Sequence, residues 1–80
     1  MQFQKDLLAS QNLKTQDSVV YLYKCNNIFD GYFYMIEILN HTNIVEDIKS
    51  FNDLDKAKKA FTNILSLDTK KYLINNYSIN

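Results

Sequence analysis

The chain has no arginine, no proline and no tryptophan, and only one glycine and one cysteine in 80 residues. Each scarcity removes a class of chemistry. Without arginine there is no planar fork to bind phosphate or a guanine edge at two points. A single glycine excludes the phosphate-cradling P-loop and the dinucleotide fingerprint, which need several. A lone cysteine, Cys25, cannot build a disulfide framework and points to a reducing compartment and a free thiol. None of Ser10, Ser18, Ser50, Ser66 and Ser78 has a glycine neighbour, so there is no nucleophile elbow. The stretch Met1–Asn12 alternates polar and apolar residues, carries Asp6 and contains no signal-peptide apolar region. No apolar run reaches transmembrane length. A cytoplasmic location with no membrane partner is expected.

Charge of either sign is also missing in the net. Nine lysines balance nine acids, so neither broad attraction to nucleic acid or anionic membrane nor mimicry of nucleic acid is expected. A chain of this length is read as one domain, residues 1–80, and buries only about 60–65% of its unfolded surface. What the chain has in excess is Asn, Ile, Lys, Tyr and Phe, together 38 of the 80 residues. All five are encoded by codons rich in A and T. This implies an AT-rich genome, such as a low-GC bacterium or one of its phages or plasmids, with a protozoan or organellar source as the alternative.

The sole glycine follows Asp30 between two apolar, tyrosine-rich runs, Val19–Tyr23 and Tyr32–Leu39. Asp-Gly in that setting is a strong hairpin signal, because glycine reaches the required backbone angles without strain. A two-residue Asp30-Gly31 turn sets Phe29 against Tyr32, Cys25 against Ile36 and Lys24 against Glu37. The last is a favourable cross-strand pair. In this register one face carries Val19, Tyr21, Tyr23, Cys25, Tyr34, Ile36 and Ile38. The other carries Val20, Leu22, Phe33, Met35 and Leu39, interrupted by Lys24, Asn26 and Glu37. The competitor is a three-residue Phe29-Asp30-Gly31 turn with a glycine bulge. It shifts pairing by one and recombines the faces.

Around this hairpin the pattern predicts further elements. Gln2–Gln11 reads as a short helix, with Phe3 and Leu7 four apart and Leu8 beside them. Asn40–Asn43 reads as a polar turn. Ile44–Phe51 reads as a third antiparallel strand, although Ile44, Ile48 and Phe51 also fit helical spacing and Asn43 with Glu46 resembles a capping box. Asp53–Leu65 is the clearest helix. Asn52 is positioned to cap it, and Leu54, Ala57, Ala60, Phe61, Ile64 and Leu65 cover an arc of about 140°. A second short helix, Thr69 to about Asn76, is expected with Asp68 as its cap. The fold class is α+β: a small three-stranded antiparallel sheet packed by an amphipathic helix, with short N- and C-terminal helices.

Few residues suggest chemistry. His41, the only histidine, sits in a predicted turn, and a solvated turn histidine is the ordinary reading; a metal needs several convergent ligands. Cys25 with His41 would be a nucleophile–base pair only if the fold brought them together, and Cys25 reads as a small buried hydrophobe. The carboxylates have turn, pairing or capping roles. No cofactor, metal or catalytic residue is expected. Tyr21, Tyr23 and Tyr34, with Lys24 and Glu37, form the candidate partner-binding set, since tyrosine joins a large apolar surface to a polar tip and is enriched in binding hot spots. These observations suggest a non-enzymatic protein-binding module. One form would be a small inhibitor from a phage or mobile element that blocks a host defence enzyme such as a CRISPR nuclease. The alternatives are a small homodimeric accessory protein and a single-strand nucleic-acid binder that stacks bases on the tyrosines. The second is disfavoured by the dispersed, balanced charge.

Overall fold

Strand β2, Ser18–Asn27, is the centre of construction. Its even-numbered residues Ser18, Val20 and Leu22 point to one side, and its odd-numbered residues Val19, Tyr21, Tyr23 and Cys25 to the other. In the computed structural model β2 lies between β1, Gln4–Asn12, and β3, Gly31–Asn40, and β3 pairs in turn with β4, Val45–Phe51. The sheet is antiparallel throughout and ordered β1-β2-β3-β4. One helix follows, α1, Leu54–Tyr77. The structure describes residues 4–27, 29 and 31–77, with side chains up to residue 74.

The fold is α+β, with four strands and one helix among the described residues where three strands and two extra short helices were expected. The N-terminal segment is the first difference. Gln4–Asn12 is a strand paired with β2, not a helix. A helix of about ten residues is marginal alone, whereas pairing with β2 satisfies the backbone. A bulge at Leu8, between Leu7 and Ala9, then turns Ala9 to the helix side beside Leu22.

The hairpin register is the second difference. Gly31 pairs with Asn27 as the first residue of β3 and takes φ +79°, so residues 28–30 connect the strands; Asp30 lies outside the described residues. Neither the Asp30-Gly31 turn nor the Phe29-Asp30-Gly31 turn gives this pairing. The register is displaced by three from the Lys24–Glu37 alignment, and Lys24 faces Tyr34 while Glu37 faces Tyr21. An odd displacement exchanges the faces of one strand relative to the other. The physical reason is burial. The observed register gathers Val20, Leu22, Ile36 and Ile38 on one side, where Val20, Leu22 and Ile36 are almost fully buried. Burying such side chains stabilises by about 1.5–3 kcal/mol each, against at most about 1 kcal/mol for an exposed charge pair.

The turn from β3 to β4 forms where expected. The Asn40 side-chain oxygen accepts from Thr42 N–H, Thr42 Oγ1 and Ile44 N–H, at 2.9, 2.6 and 3.1 Å. Asn43 takes φ +63°, a conformation asparagine tolerates better than most side chains. Strand β4 matches the expected third antiparallel strand and bulges at Glu46, between the Ile38–Asp47 and Leu39–Val45 pairs.

Helix α1 begins at a cap one residue later than expected. Asp53, not Asn52, accepts from Asp55 N–H at 3.2 Å, and its carbonyl takes the first helical bond from Ala57. The helix then continues through residues 66–68, because neither glycine nor proline interrupts it there. Ala57, Ala60, Phe61, Ile64 and Leu65 pack on Leu13, Val20, Leu22 and Ile36. Asp68, expected as the cap of a second helix, continues the same stripe and is only 7% exposed. Its carboxylate accepts from Lys14 N–H at 2.6 Å, Thr15 N–H at 3.0 Å and Thr15 Oγ1 at 2.6 Å. It thereby clamps the β1–β2 loop to the helix. Burial alone would raise this carboxyl's pKa. The hydrogen bonds from Thr15 and Lys14, with the Lys14 charge, outweigh burial and hold it below its ordinary 3.8.

All of this packing lies on one side of the sheet. The Cα extents are 55 × 28 × 15 Å and the radius of gyration is 14.5 Å, against about 12 Å for a rounded chain of this length. The molecule is a two-layer slab.

Candidate interaction face

Alternation along the strands determines what the uncovered side of the sheet presents. In register are Lys5, Leu7, Ser10 and Asn12 of β1; Val19, Tyr21, Tyr23 and Cys25 of β2; Phe33, Met35, Glu37 and Leu39 of β3; and Val45, Ile48 and Ser50 of β4. Among the described residues no helix or strand lies over them. On the inner strands Cys25 and Met35 are buried and the other side chains of this face are partly buried, while Leu7 and Ile48 on the flanking strands are 55% and 49% exposed. Leu7, Val45 and Ile48 thus leave exposed apolar surface on both flanks of a tyrosine-rich middle, the kind of patch that marks an interaction site.

Tyrosines dominate the middle of this face. The Tyr21 and Tyr23 rings stack with centroids 5.9 Å apart and planes 25° apart. Lys5 Nζ lies 4.4 Å from the Tyr23 ring centroid, a cation–π contact across β1 and β2. Burial, then the charge of Glu37 and the neighbouring Tyr21 and Cys25, raises the Tyr23 phenol above its ordinary pKa. Cys25 is fully buried in the same layer. Burial raises its thiol pKa, Lys5 partly opposes that, and Asp6 and Glu37 add to it. A thiol held protonated in this way is a poor nucleophile.

The fold divides the candidate set. It brings Tyr21, Tyr23 and Glu37 together on the open face. It places Tyr34 on the opposite face, where its side chain packs against the core under α1. Lys24 shares that opposite face, and its Nζ lies 4.3 Å from the Tyr32 ring centroid. Neither Lys24 nor Tyr34 can join a surface that Tyr21 and Tyr23 form. Lys5, Leu7 and Ile48 belong to the face and were not in the candidate set. The alternation of Lys5 and Leu7 with Gln4 and Asp6 is the signal that would have found two of them.

Other candidate chemistry is dispersed. His41 sits in the β3–β4 turn, largely exposed, with Nδ1 3.6 Å from Asp17 Oδ2. Cys25 pairs with Phe33, and the seven residues of β3 from there to Asn40 span about 23 Å, so Cys25 and His41 lie at opposite ends of the sheet. Among the described residues no three His, Cys, Asp or Glu side chains gather as metal ligands. A groove of about 390 Å³ between β1 and α1 is lined chiefly by Leu8, Leu22, Leu54 and Phe61, with Lys58 and Thr62 as its polar groups. No described helix is long and apolar enough to cross a membrane.

No protein-family model, curated protein or solved structure matches the chain. The functional reading therefore rests on the face itself.

Proposed function

We propose that the chain is a non-enzymatic protein-binding module whose working surface is the open face of the sheet. The observation that carries this reading is the uncovered layer of Leu7, Tyr21, Tyr23, Val45 and Ile48, opposite the face that α1 occupies. Two stacked tyrosines flanked by exposed aliphatic residues have the composition of an interface centre. The charge of the face favours protein over nucleic acid. Glu37 lies in the middle and Lys5 is its single cation among the described residues, which gives no electrostatic track for a phosphate backbone. A small inhibitor is one form such a module takes, and its inhibition would depend on the same residues.

Leu7→Glu and Ile48→Glu test the reading. Both put charge on the open face at exposed positions away from the α1 core, so the far-UV spectrum should be unchanged. Complexes formed by the wild type, with itself or with proteins from a host lysate at micromolar bait, should be lost. The reading fails if the variants form the same complexes, or if the wild type forms none.

A further inference from the structure

The open face carries one charge of each sign among the described residues, and their spacing has a symmetry consequence. Lys5 is level with Cys25 and Phe33; Glu37 lies four residues further along β3. Two strand spacings and four residue steps place the two backbone positions about 16 Å apart, on a diagonal about 36° from the strands. The midpoint of that diagonal is Tyr23, one strand in from Lys5 and two residues from Cys25.

Consider a two-fold axis lying in the plane of the face, through Tyr23 and perpendicular to the diagonal. It carries the backbone position of Lys5 of one copy onto that of Glu37 of the other, and the reverse, and lays Tyr23 on Tyr23, so the Lys5 ammonium exchanges its own Tyr23 ring for the other copy's Glu37. The two sheets then cross at about 70°, near the orthogonal class of sheet packing. Resting on the open face as the interaction surface, we infer that its occupant is a second copy of this chain seated about this axis.

Three further observations support that occupant. Glu37 has no ion-pair partner among the described residues, and the second copy supplies one. The chain's net charge is zero at pH 7, so the copies have no long-range repulsion to overcome. The size is also adequate. Two faces about 19 Å wide, crossed at this angle, overlap over about 400 Å² of plane per copy, and side-chain relief brings the pair to about 1,000 Å², the lower bound for a specific interface. The Lys5–Glu37 pairs act mainly on orientation, because desolvation offsets much of their attraction.

The test is sedimentation equilibrium of the full chain from about 1 to 500 µM, for wild type, Lys5→Glu, Glu37→Lys and the double reversal, with far-UV spectra as fold controls. A wild-type dimer is expected. Each single reversal sets like charges against each other and should weaken it about tenfold or more. The double reversal restores opposite charges and should return the affinity to within about threefold of wild type. A dimer indifferent to the single reversals, or a double reversal no better than either single, overturns the inference. So does a wild type that stays monomeric. In that case a lysate partner lost on Ile48→Glu would leave the module reading standing with a different occupant, and the absence of any such partner would remove both.

Discussion

The Asp68 clamp gives the sharpest quantitative prediction. Asp68→Asn preserves the shape of the side chain and removes its charge. The amide retains one acceptor oxygen, so one of the donors now served, Lys14 N–H or the Thr15 pair, faces an NH₂ group instead. A buried donor left unsatisfied costs about 1–3 kcal/mol, and demoting the remaining bond from charged to neutral costs about 1 kcal/mol more. The expected loss is about 3 kcal/mol. An 80-residue domain shifts by about 6 °C per kcal/mol, so Tm should fall by about 18 °C in a thermal scan at pH 7. The pH dependence has a defined sign. The folded pKa lies below the ordinary 3.8, so the stabilisation is present above that value and is lost as pH falls through the folded pKa. The gap between wild type and Asp68→Asn should therefore close as pH drops from about 4 towards 2. A gap below about 0.5 kcal/mol at pH 7 would refute the reasoning, and so would one that persists undiminished at pH 2.

Two further expectations follow from the backbone and the thiol. A Cβ added at Gly31 would meet nothing within 4 Å, so Gly31→Ala should cost only the positive-φ penalty, about 1 kcal/mol after the unfolded-state gain. Gly31→Asn should cost less, and equal melting temperatures for Ala and Gly would contradict the left-handed assignment. Cys25, fully buried and with its thiol pKa raised, should react with a disulfide reagent at pH 8 at least about 100-fold more slowly than in urea. Rapid labelling of the folded chain would contradict that burial.

What could be read from the sequence was local. The α+β class, a hairpin between the two tyrosine-rich runs, the polar turn at Asn40–Asn43, the strand up to Phe51 and the apolar stripe of Leu54–Leu65 depend on period, turn chemistry and capping within a few residues. What could not be read depended on distant partners. Gln4–Asn12 is a strand only because β2 is available to pair with it, and Leu8 hides the alternation by bulging. The register was judged on a Lys24–Glu37 charge pair, which the burial of Val20, Leu22 and Ile36 outweighs. Asp68 resembled a cap because acidic residues often are, but it lies on the buried stripe of α1, four residues beyond Ile64, where a carboxylate needs donors from elsewhere in the chain. The same long-range dependence divided the candidate site. Tyr21 and Tyr23 share a strand and could not be separated, while Tyr34 changed sides with the register.

The two bulges have a consequence for how the molecule meets others. Leu8 and Glu46 sit on β1 and β4, the two outermost strands of the sheet. A regular outer strand is a template for another strand, and repeated addition gives fibres. Each bulge interrupts that template within a few residues, and Lys5 and Asp6 on one border, with Glu46, Asp47 and Lys49 on the other, add charge along it. Growth in the plane of the sheet is thus discouraged on both borders. In the proposed two-fold pairing, association runs perpendicular to the sheet and ends after one layer is added.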